Sequence, residues 1–215
     1  MAAPPNVPHP RGNASNAKAV ERLFGAVKTF IGKRRELEAE PFKPLLDDWG
    51  TERVELPPTT LPVLESLDGT LANSCAATVD LVELLVRDSA HLNWRQTYDD
   101  SDPAGAKLLE RYGWTELVGN KGPLISRRLR LGFVIWGPNT FYPPHAHLAE
   151  ELYVVLSGTG EWARGDEGER MRCPGDVFLH SPQMFHSTRS FAEPVLAMYL
   201  WRGAEDLLEK PHFRG

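Results

Sequence analysis

Cysteine is scarce in this chain: Cys75 and Cys173 are the only two among 215 residues, far apart and without a CxxC pair. That excludes a disulfide scaffold and a cysteine-built zinc site, and it suits a reducing cytoplasm. No run of 18 apolar residues occurs, and the opening MAAPPNVPHPRGNAS lacks an apolar h-region, so neither membrane insertion nor export is signalled. An excess of positive charge is missing too. Lys and Arg total 24 against 29 for Asp and Glu, mixed along the chain, for a formal charge of -5. With no basic-faced helix-turn-helix in view, nucleic acid is a poor partner. Internal repeats and low-complexity tracts are absent as well. What is present is globular: 41% hydrophobic and 25% charged residues can build a buried core, and the length fits one domain.

Two textures divide the chain. Met1 to Ser15, rich in Pro, Asn, Gly and Ala, reads as a loose tail. From Asn16, a candidate N-cap, to about Glu38, the residues Val20, Leu23, Phe24, Val27, Phe30 and Ile31 recur at helical spacing. Five prolines between Pro41 and Pro62 mark a connector. A second helix is expected from about Ala72 to His91 on the stripe Val79, Val82, Leu85 and Val86. Asp102 and Pro103 open a short third helix toward Tyr112. After about Gly122 the period becomes two: Leu129, Leu131, Phe133 and Ile135 alternate with Arg128, Arg130 and Val134, as in a half-buried strand. Short runs at 151–156, 160–163, 176–180 and 195–201 continue the β texture. The expectation is a mainly β protein in one compact unit. Residues 1–122 form a tail and helical segment packed on or beside a barrel of residues 123–215. The helical segment either covers one barrel mouth or forms a homodimer contact.

Chemistry concentrates in GPNTFYPPHAHLAEELYVVLSG, residues 137–158. Alternate side chains of a strand share a face, so His145 and His147 can reach one metal ion. Glu151, Tyr153 and Val155 share a face in turn, which brings a carboxylate and a phenol toward the same point. A third imidazole can come from His186, beyond the turns at Pro174–Asp176 and Ser181–Gln183. Three His and one Glu make a mixed N/O set that suits one divalent transition metal: zinc, iron, manganese, nickel or cobalt.

The order His-x-His, three residues, Glu, six residues, Gly resembles the first motif of the cupin superfamily, G(X)5HXH(X)3,4E(X)6G. Seven residues rather than five separate Gly137 from His145, a longer approach loop through Tyr142, Pro143 and Pro144. The second motif, G(X)5PXG(X)2H(X)3N, keeps Gly175 and His186 but has Ser181, Gln183 and Ser190 where Pro, Gly and Asn are the pattern. This resemblance implies a double-stranded β-helix, a jelly-roll-like cupin barrel. More narrowly, YPPHAHLAEELYVVLSGTGEW, residues 142–162, is similar to the cupin lyases that cleave dimethylsulfoniopropionate, the family of the bacterial enzymes called DddQ, DddL, DddW and DddK.

That resemblance implies His145, His147, Glu151 and His186 as ligands of a divalent metal, Tyr153 beside or on it, and Tyr142 and Trp201 lining the substrate pocket. It also implies a small zwitterionic substrate and a β-elimination that releases dimethyl sulfide and acrylate. A phenol with an ordinary pKa near ~10 becomes a usable base beside a divalent cation, and Tyr153 is preferred to Tyr142 in that role. The permanent cation of the substrate calls for aromatic faces. Trp136, Phe141, Trp162, Phe178, Tyr199 and Trp201 are the candidates in the β half, with Trp201 preferred. A cupin metal-dependent dioxygenase and a non-catalytic small-molecule-binding cupin are the alternatives.

The remaining polar residues carry blander expectations. His180 is assigned to packing or a rim hydrogen bond, with an alternative ligand role left open, and His9, His91 and His212 to the surface. Arg127, Arg128 and Arg130 are assigned to a solvated face or rim ion pairs. Cys173 is expected to be small and buried, and Glu150 to face away from the site.

Overall fold

A computed structural model describes residues 14–99, 102, 108–203 and 211–213. Three helices come first: α1 (Ala14–Gly32), the short α2 (Lys43–Asp47) and α3 (Val79–Asp88). The strands follow as β1 (Trp94–Arg95), β2 (Tyr112–Val118), β3 (Leu129–Trp136), β4 (Phe141–Ala146), β5 (Glu150–Ser157), β6 (Gly160–Arg164), β7 (Glu169–Arg172), β8 (Val177–His180), β9 (His186–Ser190), β10 (Val195–Arg202) and β11 (His212–Phe213). They form two antiparallel sheets, ordered β1-β2-β3-β10-β5-β8 and β11-β4-β9-β6-β7. This is the mainly β, cupin-type barrel with a helical N-terminal part that the motifs implied.

The strand alternation explains how the helices attach. On β3, Leu129, Leu131, Phe133 and Ile135 join one hydrophobic cluster with Leu152, Val154 and Leu156 of β5 and Leu196, Met198 and Leu200 of β10. The same cluster contains Val20, Leu23, Phe24, Val27 and Ile31 of α1 and Leu81, Val82 and Leu85 of α3. The alternate residues Val134, Trp136, Tyr153, Val155, Ala197, Tyr199 and Trp201 belong to a second cluster inside the barrel. Helices α1 and α3 therefore lie on the outer face of the six-stranded sheet. This is why β3 is buried at every position instead of half-buried: each face has its own apolar layer.

Other boundaries shift for identifiable reasons. Asn16 lies inside α1, where its Oδ1 meets His91 Nδ1 at 3.0 Å instead of capping the helix. Helix α1 stops at Gly32, and 3-10 turns at Leu37–Phe42 and Pro62–Ser66, with α2 between them, fill the proline-rich connector. Helix α3 begins at Val79 because the preceding residues are tied down locally. The Thr78 hydroxyl donates to the Leu156 carbonyl at 2.7 Å and accepts from the Cys75 amide. At its far end Asp88 receives two hydrogen bonds from Arg22 of α1, at 3.0 and 3.1 Å. The β texture expected after about Gly122 begins earlier, with β1 and β2 extending the sheet beyond β3. His9, the tail to Asn13 and the helix opening at Pro103 lie outside the described residues. His91 is part-buried, His212 exposed, and both cysteines are free, with Cys173 exposed rather than buried. Among the described residues no helix is long and apolar enough to cross a membrane.

Candidate metal centre

Strand register builds the site. Across the six-stranded sheet one interior row runs from Arg130 on β3 to Trp201 on β10, to Glu151 on β5, to His180 on β8, each opposite the next. The row beneath it is Gly132, Tyr199, Tyr153 and Phe178. From the facing sheet, His145 on β4 pairs with His186 on β9, and His147 follows directly after β4. Glu150 takes the opposite parity and pairs with Arg202 at the rim.

Within this frame His147, Glu151 and His186 are buried, and their ligand atoms lie within 4.8 Å of one another. Glu151 Oε2 is 3.0 Å from His147 Nε2, 3.3 Å from His186 Nε2 and 3.4 Å from His180 Nδ1. His145 stands alongside, its ring 4.2 Å from that of His186 and 6.4 Å from that of His147. Tyr142 packs on His145 with ring centres 4.1 Å apart, and its hydroxyl shares a 2.8 Å hydrogen bond with Tyr98. Tyr153 is enclosed by Trp162, Phe178 and His180, at 5.0, 5.9 and 5.5 Å between centres. Trp201 stacks on His147 at 4.0 Å, and its indole N–H donates to Glu151 Oε1 at 2.6 Å.

Proton accounting shows what the cluster can hold. Carbonyl oxygens only accept, so the three imidazoles that touch one carry a proton on Nδ1. His145 donates to Pro143, His147 to Ala149 and His186 to Met184, at 2.9, 3.0 and 2.8 Å. When these rings are neutral, their Nε2 lone pairs remain unprotonated, and those of His147 and His186 face the Glu151 carboxylate, acceptor against acceptor. His186 Nε2 is buried beside that carboxylate without making a hydrogen bond. Only a proton or a cation reconciles such a set, and backbone-anchored Nδ1–H groups are the usual support of metal-binding imidazoles. Burial, then the neighbouring His186, hold His145 well below the usual imidazole range, and the same causes lower His180 to about 3. Both rings are then neutral near pH 7, the form a metal needs. Burial alone would raise the Glu151 carboxyl, but the imidazoles of His147, His180 and His186, where they turn a proton toward it, hold it well below its ordinary value. The residues present thus fit a divalent cation at the Nε2 atoms and Glu151 Oε2.

Several residues of the site were not legible as such. His180 is fully buried and donates from Nδ1 to Glu151, while its Nε2 has no partner. Arg127 and Arg128 are exposed as expected, Arg128 pairing with Asp48, but Arg130 is not on a solvated face. Its side chain is 8% exposed and bonds from Nε to Glu116 Oε2 at 2.6 Å inside the barrel. Its shared parity with Val134 and Trp136 was the available signal. Tyr98 and Tyr112 extend the aromatic wall around Tyr142. Of the six aromatics singled out for a cation, Tyr199 and Trp201 line the cavity beside Glu151. Trp136, Trp162 and Phe178 are buried within the barrel, and Phe141 faces outward under Arg189.

The departures from the second cupin motif also have local explanations. Gln183, in place of Gly, sits at φ 61° and donates its amide to the His147 carbonyl at 2.8 Å. Left-handed backbone costs a non-glycine residue about 1–2 kcal/mol, and glycine gives back about 0.4–1 kcal/mol through the unfolded chain. Gln183→Gly is therefore expected to raise the unfolding free energy by up to about 1 kcal/mol, measurable by thermal melting; a lowered melting temperature would show that the side chain matters more than the backbone. Ser190, in place of Asn, donates to the Gly137 carbonyl at 2.5 Å and accepts from the Thr140 amide at 2.9 Å, pinning the longer loop that leads to Tyr142.

A two-sheet barrel with inward imidazoles and a carboxylate suited to a divalent ion defines a cupin with a candidate metal centre. A family model described as dimethylsulfoniopropionate lyase matches residues 34–197, and the chain belongs to that family of carbon-sulfur lyases. The chain is 31% identical to dimethylsulfoniopropionate lyase DddQ of Ruegeria pomeroyi over 178 residues, 83% of this chain and 81% of the relative. It is 32% identical to the putative dimethylsulfoniopropionate lyase DddL of Cereibacter sphaeroides over 158 residues, 72% of this chain. The match spans 65% of that relative's length. The crystal structure of DddQ from Ruegeria pomeroyi superposes with a TM-score of 0.81 at 27% identity, covering 91% of this chain and 96% of that one.

Proposed function

We propose that this chain is a metal-dependent lyase that cleaves dimethylsulfoniopropionate by β-elimination, in the cytoplasm. The observation that carries the reading is the convergence of imidazole Nε2 atoms on Glu151 Oε2 at 3.0 and 3.3 Å, at the foot of an aromatic-lined cavity. His145, His147, Glu151 and His186 would hold one divalent transition metal ion, zinc, iron, manganese, nickel or cobalt. When bound, the ion supplies Lewis acidity toward the substrate carboxylate and favours the phenolate form of an adjacent tyrosine.

The rest of the chemistry falls to side chains. Burial, then the Glu151 charge, push the Tyr153 phenol well above its ordinary value, so the protein alone keeps it neutral. Once ionised, its oxygen is the base that takes the proton from the carbon next to the carboxylate. The C–H electron pair becomes the C=C bond of acrylate, the C–S bond breaks, and dimethyl sulfide leaves as a neutral molecule with the sulfur pair. Tyr142, held by Tyr98, lines the pocket and is the second candidate for the base. Trp201, the aromatic first expected to face the dimethylsulfonium cation, has its ring between His147 and the Arg130 guanidinium, so the cation falls to the other aromatic rings of the cavity, Tyr112 and Tyr199. Metal-replete protein given dimethylsulfoniopropionate should release dimethyl sulfide and acrylate in equal amounts, by headspace gas chromatography and by proton NMR. No release would overturn the activity and leave the cupin barrel standing.

A further inference from the structure

The polar row of the six-stranded sheet continues past the ligand carboxylate, and its far end has no part in the reaction as written. Glu151 Oε1 is occupied by the Trp201 indole N–H at 2.6 Å, while Oε2 is the oxygen that faces His147 and His186. The same indole stacks on His147 at 4.0 Å, so one side chain touches two of the candidate ligands. The Arg130 guanidinium lies over the Trp201 ring, 4.7 Å from its centre. Arg130 is in turn held by Glu116, whose other oxygen accepts from the Lys121 amide at 2.7 Å.

This end of the row is built. The Glu116 carboxylate is fully buried, and Arg130 bonds to it inside the barrel, where a lone ion pair costs more in desolvation than it returns unless its geometry is tight. Two glycines make the room. At Gly119, with φ +144°, a Cβ would collide with Glu116 Oε1. At Gly132 it would collide with the Thr115 carbonyl and crowd the Tyr199 hydroxyl, which donates to that carbonyl. Burial would lower the Arg130 guanidinium, but Glu116 more than offsets it and keeps Arg130 charged. A buried, permanently charged plane fixed by the Glu116 carboxylate is a rigid seat for an indole ring.

We infer that Trp201 is a positioning residue for the metal centre, seated by the Glu116–Arg130 pair, and that its N–H fixes Glu151 so that Oε2 alone is presented beside the imidazoles. The inference rests on the metal reading of the site and extends it to residues that ligate nothing. Trp201→Phe keeps an aromatic ring and removes the N–H. Because a buried arginine change can prevent folding, the second variant is the double substitution Glu116→Gln with Arg130→Met, which removes both charges together.

The measurement is cobalt(II) titration of the full chain, following the visible d–d spectrum and competing the ion with a chelator of known affinity. Trp201→Phe should weaken cobalt binding about 10–100-fold and alter the intensity and position of the bands, because the carboxylate is free to turn. The double variant should change both in the same direction by a smaller factor. Wild-type spectra and affinity in a folded Trp201→Phe protein would overturn the proposal. So would unchanged cobalt binding combined with a raised KM for dimethylsulfoniopropionate alone, since Trp201 would then act only on substrate. If the wild-type chain binds no cobalt, the metal reading itself fails, an outcome distinct from both.

Discussion

Replacing Tyr153 with phenylalanine should lower kcat for dimethyl sulfide release by about 10³-fold, within the 10²–10⁴ contributed by a positioned general base, while metal content stays at the wild-type level. The substitution removes one oxygen and keeps the ring among Trp162, Phe178 and Trp136, at 5.0, 5.9 and 6.2 Å between centres. Loss of packing is thereby separated from loss of chemistry. Tyr142→Phe is the informative companion, because it breaks the 2.8 Å bond to the Tyr98 hydroxyl yet leaves the stack on His145 in place. A modest loss there beside a collapse at Tyr153 identifies Tyr153 as the base. The reverse pattern transfers the role to Tyr142, and full activity in both variants removes a tyrosine base from the reaction. Metal analysis of each sample guards against a trivial cause, since Tyr153 lies two residues from Glu151 on the same face of β5.

Motif spacing made the imidazoles and Glu151 legible because a strand repeats every two residues, so sequence offsets translate directly into side-chain direction. It served less well where both faces of a strand are buried. In β2, YGWTELV, every residue is buried, and no alternation marks it as a strand. In β3 the apolar series is legible, but Arg128, just before the strand, and Arg130, within it, both look solvent-facing because they are arginines. One is exposed and the other is enclosed by Glu116 and Trp201. The difference comes from the closure of the barrel, which a local pattern does not contain. His180 is hard to read from sequence for a similar reason: its significance is its register opposite Glu151, a contact between residues 29 positions apart. Glycine replaced by Gln183 and asparagine by Ser190 looked like weakened motifs, yet the turn and the loop anchor are both formed.

Removing one imidazole should uncouple the protein's stability from metal. At a free-ion concentration 100 times its Kd, binding adds about 2.7 kcal/mol to the folded state. For a chain of this length that corresponds to roughly 5–10 °C in melting temperature. Wild-type protein stripped with a chelator should recover such a shift when a divalent transition metal is returned. In His147→Ala the Nε2 atom 3.0 Å from Glu151 Oε2 is gone, the carboxylate keeps its bond from Trp201, and the shift at the same ion concentration should fall below about 2 °C. Dimethyl sulfide release should disappear with it. The metal-free variant also loses a buried ring that stacks on Trp201, so its own melting temperature is the proper baseline and the metal-induced increment is the quantity to compare. An undiminished increment in His147→Ala would place the ion elsewhere in the molecule. An increment lost in His147→Ala and in His186→Ala, but kept in His180→Ala, would separate the residues that hold the ion from the one that hydrogen-bonds their carboxylate.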